Sequence, residues 1–346
     1  MIFNKTGRLM RRHFKYKNLK LETVREYKYL GFILTPSGEV ATGLTDLKDR
    51  GVRAAASIRM KLGDSFRKEF NTTLKLFKSL VMPILLYMAD FWGCLKMPKN
   101  NPIEIMQNKF LKQLLGVQTQ TTNIGVLLET GEIPLSCHAK KICIKNWCRI
   151  TRNKCNKIVM DSFTNSITNK LSWPLRIREE FSVVGLLDTF LAAGSTAHAE
   201  VTFFQRTIDI FHQSGFAQIR DPNSILFKTE IGTEKYLTEI SNQHDRTNLT
   251  KIRLSNHTLM IEKGRHQKID KSLRFCPFCK NCIEDELHFV MVCPVYKHQR
   301  NLLFKGIRGL YPDFERKNIS DQFKRILTDI KNCKNCRKIL IQMFCN

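Results

Sequence analysis

Four potential metal ligands near the C-terminus constrain the folding of this chain more tightly than any other feature. Two residues separate Cys276 from Cys279, and four separate His288 from Cys293, giving the spacing Cys-x2-Cys-x8-His-x4-Cys. Two thiolates at this separation can bind one ion, and a histidine and a cysteine from a following turn or short helix can complete a tetrahedron. Sulfur ligands with one imidazole favour Zn²⁺. The pattern predicts a CCHC zinc knuckle; the alternative is four side chains buried by chance.

The remaining cysteines leave the ligand set open. Cys282 follows Cys279 by three residues and could compete as a ligand, and His298 is a weaker candidate. Cys333 and Cys336 form a second Cys-x2-Cys pair in the basic tail, which we interpret as surface residues on a helix because no histidine lies nearby. No signal peptide is recognisable, so reduced thiols or metal ligands are expected rather than disulfides. The expected location is intracellular, in the nucleus or cytoplasm, and not secreted.

The charge of the chain narrows the class of partner. Lys and Arg number 57 against 31 Asp and Glu, which gives a net charge of +26. Such a surplus fits a polyanion, either nucleic acid or an acidic membrane surface. The longest apolar stretch, residues 81–95, contains Pro83 and Asp90 and is shorter than the roughly 20 residues that cross a bilayer. The expected partner is therefore RNA or DNA, contacted through its phosphates, and not a membrane.

Helical periodicity dominates residues 41–116. Three segments carry apolar side chains at helical spacing, which predicts three helices with core-facing stripes. Asn71 or Thr72 is the predicted N-cap of the second helix, and Pro83 predicts a kink in it. The third helix is predicted to begin at Pro102 and to end near Gly116. The three stripes are Leu44, Leu47, Ala55, Ile58 and Leu62; Leu74, Phe77, Val81 and Leu85; and Ile103, Met106, Phe110 and Leu114.

The flanking segments carry weaker signals. Residues 27–34 are rich in β-forming side chains and are followed by a turn signal at residues 35–38, which predicts a short β-hairpin. Two short strands are too small for a stable domain, so they either pack on the following helices or are the remnant of a larger sheet. Residues 161–245 predict a helical connector that is interrupted at Trp173-Pro174, with apolar helices at residues 181–193 and 201–211.

One predicted helix carries a purely cationic face. Residues 133–160 contain no acid. The side opposite the cations carries Cys143, Ile144, Trp147 and Ile150 and is expected to pack. The cations on the other side are expected to repel one another. That face is either simply solvated or relieved by a phosphate backbone. The candidate contacts are Lys141, Lys145, Arg149 and Arg152, followed by a second basic stripe at Arg50, Arg53 and Lys61.

Catalytic signatures are missing from the sequence. Two-metal phosphoryl transfer needs paired carboxylates, yet Asp90 is followed by Phe91 and the chain contains no Asp-Asp dipeptide. We interpret the segment around Asp90 as a packed helix. Neither a phosphate-binding Gly-x4-Gly-Lys-Ser/Thr loop nor a Gly-x-Ser-x-Gly motif occurs. Adjacent Cys137 and His138 do not make a nucleophile and base, and we interpret them as structural.

Several short segments are informative because of their order along the chain. They are Met1-Ile2-Phe3-Asn4-Lys5, Tyr27-Lys28-Tyr29-Leu30-Gly31, Leu85-Leu86-Tyr87, Phe91-Trp92-Gly93, Ile103-Glu104 through Phe110 to Leu115-Gly116, Arg253-Leu254-Ser255-Asn256-His257, and Cys276 to Cys293 followed by Pro294. In this order they resemble a LINE-type (non-LTR) retrotransposon reverse transcriptase, from the end of its palm through its thumb to its C-terminal zinc knuckle.

The resemblance implies a mainly α protein with five parts. They are residual palm strands with a primer-grip-like segment at residues 1–40, a thumb-like helical bundle at 41–160, a helical connector at 161–245, a CCHC zinc-knuckle region at 246–310 and a basic helical tail at 311–346. Thumb and knuckle imply binding of a template–primer duplex and of element RNA or target DNA. Because the palm carboxylates and the endonuclease domain of the family are missing, the chain is expected to be a non-enzymatic C-terminal fragment or a degraded copy.

Two other interpretations remain open at this stage. The chain could be a zinc-stabilised helical module that docks a protein, with the charge serving solubility. It could also fail to form a stable product, because an exposed half-sheet at residues 1–40 would promote aggregation. Steep weakening of binding with salt distinguishes phosphate contacts from apolar docking.

The first prediction concerns catalysis. The purified chain should extend no primer on any template with Mg²⁺ or Mn²⁺, because Asp90 is followed by Phe91 and lacks the second carboxylate that would help to hold two ions. Nucleotide incorporation above a control without protein, measured with labelled nucleotides, would contradict the fragment interpretation.

Overall fold

The structure is a computed structural model that describes residues 1–3, 7–8, 14–152, 156–169, 172–192, 198–219, 228, 231–329 and 334–345. This part of the chain is mainly helical with a small N-terminal strand region, which confirms the predicted fold class. Unit 1 comprises Met1–Gly63, Thr72–Phe110 and Ile133–Gln213, and unit 2 comprises Asp64–Asn71, Leu111–Glu132 and Ser214–Asn346. The five-part division drawn from the sequence stays a prediction.

The secondary structure follows the chain in this order. The strands are β1 (Phe14–Tyr16), β2 (Leu19–Leu21), β3 (Tyr27–Tyr29) and β4 (Phe32–Leu34). The first nine helices are α1 (Ala41–Leu62), α2 (Ser65–Lys68), α3 (Phe70–Leu76), α4 (Met82–Leu85), α5 (Ala89–Trp92), α6 (Pro102–Leu115), α7 (Asn123–Thr130), α8 (Leu135–Thr151) and α9 (Lys157–Thr168). The others are α10 (Ser172–Val183), α11 (Leu187–Leu191), α12 (Ala199–Ile219), α13 (Tyr236–Glu239), α14 (Gln243–Arg253), α15 (Met260–His266), α16 (Lys297–Arg308), α17 (Ile319–Asp329) and α18 (Lys334–Cys345).

Two antiparallel hairpins open unit 1, where the sequence predicted one. β1 pairs with β2, and β3 pairs with β4, without hydrogen bonding between the two pairs. The second hairpin packs on the helices that follow it, because Phe32 is buried and Arg50 on α1 donates to the Gly31 carbonyl at 2.6 Å. The first hairpin is exposed along both strands. Of these strands, β4 therefore packs on α1, whereas β1, β2 and β3 are exposed along their length.

Close packing at a glycine fixes α1 against β4. A Cβ atom added at Gly43 would lie 2.3 Å from the Phe32 ring, well inside van der Waals contact. Of the stripe predicted for α1, Leu44, Leu47 and Ile58 are buried, whereas Ala55 and Leu62 are only half-buried. Gly43 therefore matters as much for this packing as the large apolar residues of α1, because its lack of a side chain admits the Phe32 ring.

Residues 70–85 form one interrupted helix. It begins at Phe70, slightly before the predicted caps Asn71 and Thr72, and passes through a π-helical turn at Phe77–Val81 before α4. Pro83 explains the interruption, because proline supplies no N–H and its ring clashes with the carbonyl one turn earlier. The predicted kink is thus realised as a widened turn. The apolar stripe of this helix is buried as predicted, and so is that of α6, which begins at Pro102.

An aromatic core of unit 1 surrounds Trp147 on α8. Phe181 and Phe190 contact its ring, with centroids 4.9 and 5.4 Å away. The sequence placed one helix at residues 181–193, and this was wrong, because α10 ends at Val183 and Gly185 turns the chain with φ +70° before α11. Trp173-Pro174 does not break the chain either, since Pro174 lies in the first turn of α10, where its missing N–H costs nothing.

A buried ion pair organises unit 2. Arg253 at the end of α14 donates from Nε to Oε1 of Glu129 on α7 at 2.5 Å and from Nη2 to Oε2 at 3.2 Å. Its Nη2 also lies 3.2 Å from the Glu234 carboxylate. Both Arg253 and Glu129 are buried. Breaking such a pair on one side typically costs about 3–5 kcal/mol, because a charge is left buried alone.

The C-terminal helices complete unit 2. Cys336 on α18 is fully buried, and its thiol lies 3.7 Å from the Leu303 carbonyl on α16. The prediction that Cys336 is a surface residue was therefore wrong; it packs in the core. Cys333, its predicted partner in a Cys-x2-Cys pair, lies outside the described residues. Arg337 on α18 lies 3.4 Å from the Asp245 carboxylate, which ties α18 to α14.

The packing of Gly43 generates the second prediction. Gly43→Ala should lower the free energy of unfolding by about 1–3 kcal/mol, because the Phe32 ring has to shift from its site. Tryptophan fluorescence during urea unfolding is a suitable readout, because all three tryptophans lie in unit 1.

Two further variants test the cause. Ala56→Ser, at an exposed site of the same helix, should stay within about 0.5 kcal/mol of the parent. Adding Phe32→Leu to Gly43→Ala should recover part of the loss, since the smaller side chain makes room for the new methyl group. Equal destabilisation by Gly43→Ala and Ala56→Ser would contradict the packing argument.

Candidate metal centre

A tight turn presents the first two cysteines. Cys276 donates its N–H to the Cys282 carbonyl at 2.9 Å, and Phe275 pairs with Ile283 in an isolated β-bridge. Inside this turn Lys280 donates to the Cys276 carbonyl at 2.9 Å and adopts a left-handed conformation with φ +57°. Residues other than glycine rarely adopt this conformation, so the turn is closed at some conformational cost. The closed turn directs both thiols to the same side.

A π-helical turn at His288–Val292 presents the other two ligands. Asp285 accepts the His288 N–H at 2.7 Å and caps the start of this turn. Cys293 then donates its own N–H to the His288 carbonyl at 2.7 Å. Because the wider turn carries five residues, His288 and Cys293 come to lie on one side of it.

The four ligand atoms converge. All lie within 4.8 Å of one another, with 4.0 Å between the Cys276 and Cys293 sulfurs and 3.4 Å between Cys279 Sγ and His288 Nε2. Around a tetrahedral zinc ion, the usual bond lengths place two sulfurs about 3.8 Å apart and a sulfur and a nitrogen about 3.5 Å apart. The donor set and its spacing therefore fit one tetrahedral ion, and the structure brings together all four predicted ligands.

Hydrogen bonding and burial act differently on the thiols. The backbone N–H of Asn281 points at Cys279 and lowers the pKa of its thiol. Cys276 is fully buried, and desolvation raises the pKa of its thiol to about 11 in the absence of a metal. A metal must displace that proton, so binding is expected to weaken as the pH falls.

Two buried glutamates surround the cluster, and sequence reasoning missed both. Glu284 accepts the Met260 N–H at 2.7 Å, and its other oxygen lies 3.7 Å from Cys276 Sγ. Glu286 accepts from His257 Nε2 at 2.7 Å and from the Ser255 hydroxyl at 3.3 Å. A signal was present in the sequence, because three consecutive acids, Glu284, Asp285 and Glu286, lie between the metal ligands Cys279 and His288 of a strongly basic chain. Their partners lie 24 to 31 residues away, beyond local pattern reading.

The other candidate ligands lie outside the cluster. Cys282 is exposed and contributes its backbone to the turn, and His298 is exposed near the start of α16. Arg300 on the same helix donates to the Cys293 carbonyl at 2.9 Å, which places a positive charge beside a predicted thiolate. Among the described residues, the arrangement therefore favours the original set of four.

The predicted cationic face of α8 is partly neutralised. Lys141, Lys145 and Arg149 are exposed on the helix, with the Lys141 ammonium 4.1 Å from the centre of the Phe204 ring. Arg152 lies just beyond the helix and is half-buried, 3.6 Å from the Glu200 carboxylate. The acid-free sequence window thus acquires an acid from α12 by folding, and three of the four cations remain on the open face.

The second basic stripe is also divided. Arg53 and Lys61 are exposed on α1. Arg50 is half-buried, because it donates to the Asp46 carboxylate at 2.6 Å and to the hairpin carbonyl of Gly31. Arg50 thus has a structural partner on each side, whereas the other two project into solvent.

The adjacent Cys137 and His138 are desolvated. Burial raises the pKa of the Cys137 thiol to about 11 and lowers the pKa of His138 to about 4. Both are therefore neutral near pH 7. A thiolate–imidazolium pair is not what this environment favours.

Comparison with known proteins adds no assignment. No family model matches this chain, and comparison with curated proteins and with solved structures finds no significant match. None of the helices in the described part of the chain is both long and apolar enough to cross a bilayer. The resemblance to a retrotransposon reverse transcriptase therefore stays a prediction.

The third prediction concerns the metal. Protein purified under reducing conditions with Zn²⁺ should hold one ion per chain, and Cys293→Ser should lose it and lower the melting temperature. Binding should weaken from pH 7 to pH 5, because protons compete for the thiolates. Metal analysis by mass spectrometry and a chelator competition measure both effects.

Cys282→Ser is the matched control. It removes a thiol from the same turn but should keep the metal at full occupancy, because Cys282 is exposed and outside the cluster. Loss of metal in this variant would show that the third sulfur ligand has been assigned wrongly.

Proposed function

We propose that this protein is a zinc-stabilised, mainly helical protein that binds RNA or DNA through the phosphate backbone, largely without regard to sequence. The observation that carries the proposal is the exposed cationic face of α8. Lys141, Lys145 and Arg149 project from it, while Ile144 and Trp147 on the opposite side are buried in the core. The packed helix fixes the backbone that carries the three charges, so contact with a ligand orders only their side chains.

Electrostatics favours a polyanion on this face. The three side chains follow one another at intervals of about one helical turn, roughly 5–6 Å, so like charges repel along the helix. The nearby acids already have partners, since Glu180 lies 2.7 Å from Lys140 and Glu200 pairs with Arg152. Successive phosphates of a strand would relieve this repulsion and release their counterions.

Zinc is the metal we propose for the cluster. Cys276, Cys279, His288 and Cys293 would hold it, and three sulfurs with one imidazole match the usual structural zinc set. When bound, the ion supplies a crosslink and neutralises most of the thiolate charge. The chain's own residues close both turns that present the ligands. A protein stabilised in this way by free thiols suits a reducing compartment, so we place it in the nucleus or cytoplasm.

The order of the sequence segments supports an origin in a LINE-type reverse transcriptase. On this proposal the chain corresponds to the part that follows the catalytic carboxylates, and it is a binding protein rather than an enzyme. The paired acids that two-metal chemistry requires do not occur around Asp90, where α5 carries Phe91 and Trp92 instead.

A second candidate function rests on the first hairpin. Phe14, Tyr16, Leu19 and Leu21 are all exposed on β1 and β2. An apolar surface of this kind is suited to docking a protein partner. In that case the helices and the zinc site would serve as a scaffold, and binding would depend little on salt.

The fourth prediction tests the proposed α8 face. Replacing Lys141, Lys145 and Arg149 together by Gln should flatten the slope of log affinity against log salt by about 2.7 for duplex and about 2.1 for single strands. All sequences should weaken about equally, because phosphate contacts carry no base information. Fluorescence anisotropy over a series of salt concentrations measures the slope, and circular dichroism checks that the helices persist.

Arg152→Gln is the matched control. It removes one positive charge from the same region, but Arg152 already pairs with Glu200, so the salt slope should change much less than for any of the three exposed cations. A folded triple variant with an unchanged slope would show that the face is only solvated. Binding that stays insensitive to salt in the parent would favour the docking function instead.

A further inference from the structure

A polar cavity of about 590 Å³ lies within unit 2, between the start of α7, the segment that follows α14, and α15. This volume falls in the range of small-molecule sites, which is about 300–1,000 Å³. Its walls contain three basic residues and a single acid, together with several amides and hydroxyls. The charged lining residues are Arg253, Glu262, Lys263 and Arg265.

The N-terminus of α7 opens into this cavity. Ile124 and Gly125, in the first turn of the helix, line it. Thr122 occupies the N-cap, a position where threonine often caps, but its side chain accepts no hydrogen bond from the helix. The first hydrogen bond of the helix runs from the Val126 N–H to the Thr122 carbonyl, so the preceding amides are left to donate elsewhere. Free amides and the helix dipole together attract an anion.

Two residues that line the cavity from different elements, Thr121 before α7 and His257 after α14, each have a buried polar atom that lacks a hydrogen-bond partner. Thr121 is 7% exposed, and its hydroxyl makes no hydrogen bond. The side chain of His257 is 3% exposed, and its Nδ1 is unpartnered while Nε2 bonds Glu286. Unsatisfied buried polar groups are uncommon in native proteins and typically mark a site that a ligand or water completes. Thr121 directly precedes the N-cap of α7, whereas His257 lines the cavity from a separate segment and is independent of the helix terminus.

The charges of the lining favour a phosphate over a neutral ligand. Arg253 is held by Glu129 and Glu234, and Arg265 is held by Glu262. Lys263 lines the cavity with no carboxylate partner among the described residues. One free cation, the helix amides and a threonine hydroxyl form a set of donors suited to a phosphate group.

We infer that this cavity binds a phosphomonoester of nucleotide size, with the phosphate at the N-terminus of α7 beside Thr121 and Lys263. The remaining volume, lined by Gln118, Asn256 and Gln267, accommodates a polar organic group. A free nucleotide and the terminal phosphate of a strand share this chemistry. The inference is independent of the α8 face, which belongs to unit 1.

The fifth prediction tests the phosphate site in the full chain loaded with zinc. Inorganic phosphate should raise the melting temperature above that in chloride at equal ionic strength, because a ligand of the native state stabilises it by mass action. Thr121→Val should weaken phosphate binding about tenfold, the usual effect of losing a hydrogen bond to a charged group. Lys263→Gln should weaken it several-fold.

Three variants separate a binding role from a structural one. Thr121→Ser keeps the hydroxyl and should keep the response to phosphate. Lys305→Gln removes an equivalent surface charge that does not line the cavity and should leave the response unchanged. The triple Gln variant of α8 should also respond normally to phosphate. A negative result for nucleic-acid binding by α8 can therefore be distinguished from a negative result for the phosphate site. A phosphate response equal to that in chloride, or unaltered by both Thr121→Val and Lys263→Gln, would overturn the inference.

Paired probes distinguish the two sources of phosphate. Tighter binding of 5′-AMP than of inorganic phosphate, with no binding of adenosine, would support a free mononucleotide. Preferential binding of a 5′-phosphorylated oligothymidylate over its 5′-hydroxyl form, reversed by inorganic phosphate, would support a strand end; the comparison cancels contacts with internal phosphates. If neither organic phosphate binds more tightly than inorganic phosphate, the assignment of a nucleotide-sized ligand is wrong.

Discussion

The buried pair between Arg253 and Glu129 is the interaction on which the organisation of unit 2 depends. It joins the end of α14 to α7 in an interior where neither charge could remain alone. The chain that leaves Arg253 then supplies Ser255 and His257 to Glu286, two residues before the metal ligand His288. One short segment thus fixes α7, one wall of the cavity and the surroundings of the metal cluster. Disturbing the ion pair is therefore expected to affect all three features.

The metal cluster depends on this network for its shape and on an ion for its charge balance. Three thiolates around one Zn²⁺ leave a net negative charge, and Glu284 lies buried beside Cys276. Arg300 offsets part of this negative charge, because its guanidinium donates to the Cys293 carbonyl. Without a metal, desolvation favours the protonated form of the buried Cys276 thiol, whose pKa is raised to about 11. Backbone hydrogen bonds close the two turns that carry the ligands, so the protein fixes the positions of the ligands. The ion is expected to hold the two turns together.

Local patterns in the sequence predicted local structure well. The apolar stripes of α1 and α6 and the convergence of the four Cys and His ligands follow from periodicity and spacing, which neighbouring residues determine. Contacts between distant segments could not be predicted in this way. Glu200 reaches Arg152 from another helix, and Glu129 meets Arg253 across 124 residues. Residues 133–160 contain no acid, as the sequence shows. The charge of the surface that they form nevertheless depends on the acids that other helices bring into contact with it.

The same contacts bear on the net charge that first suggested a polyanion. Glu129, Glu284 and Glu286 are buried, so their charges do not offset the cations on the surface. Burial removes equal numbers of each sign among the described residues, because five basic residues are buried alongside five acids. The surface therefore keeps the positive surplus that the sequence total of +26 implies. The buried basic residues are Lys112, Lys228, Arg246, Arg253 and Arg337. Burial does not relieve this surplus, so the surface cations repel one another. Binding a phosphate polyanion lowers that repulsion in proportion to the number of phosphates contacted, which is why the salt dependence of binding is the property that most directly reports how the charge is used.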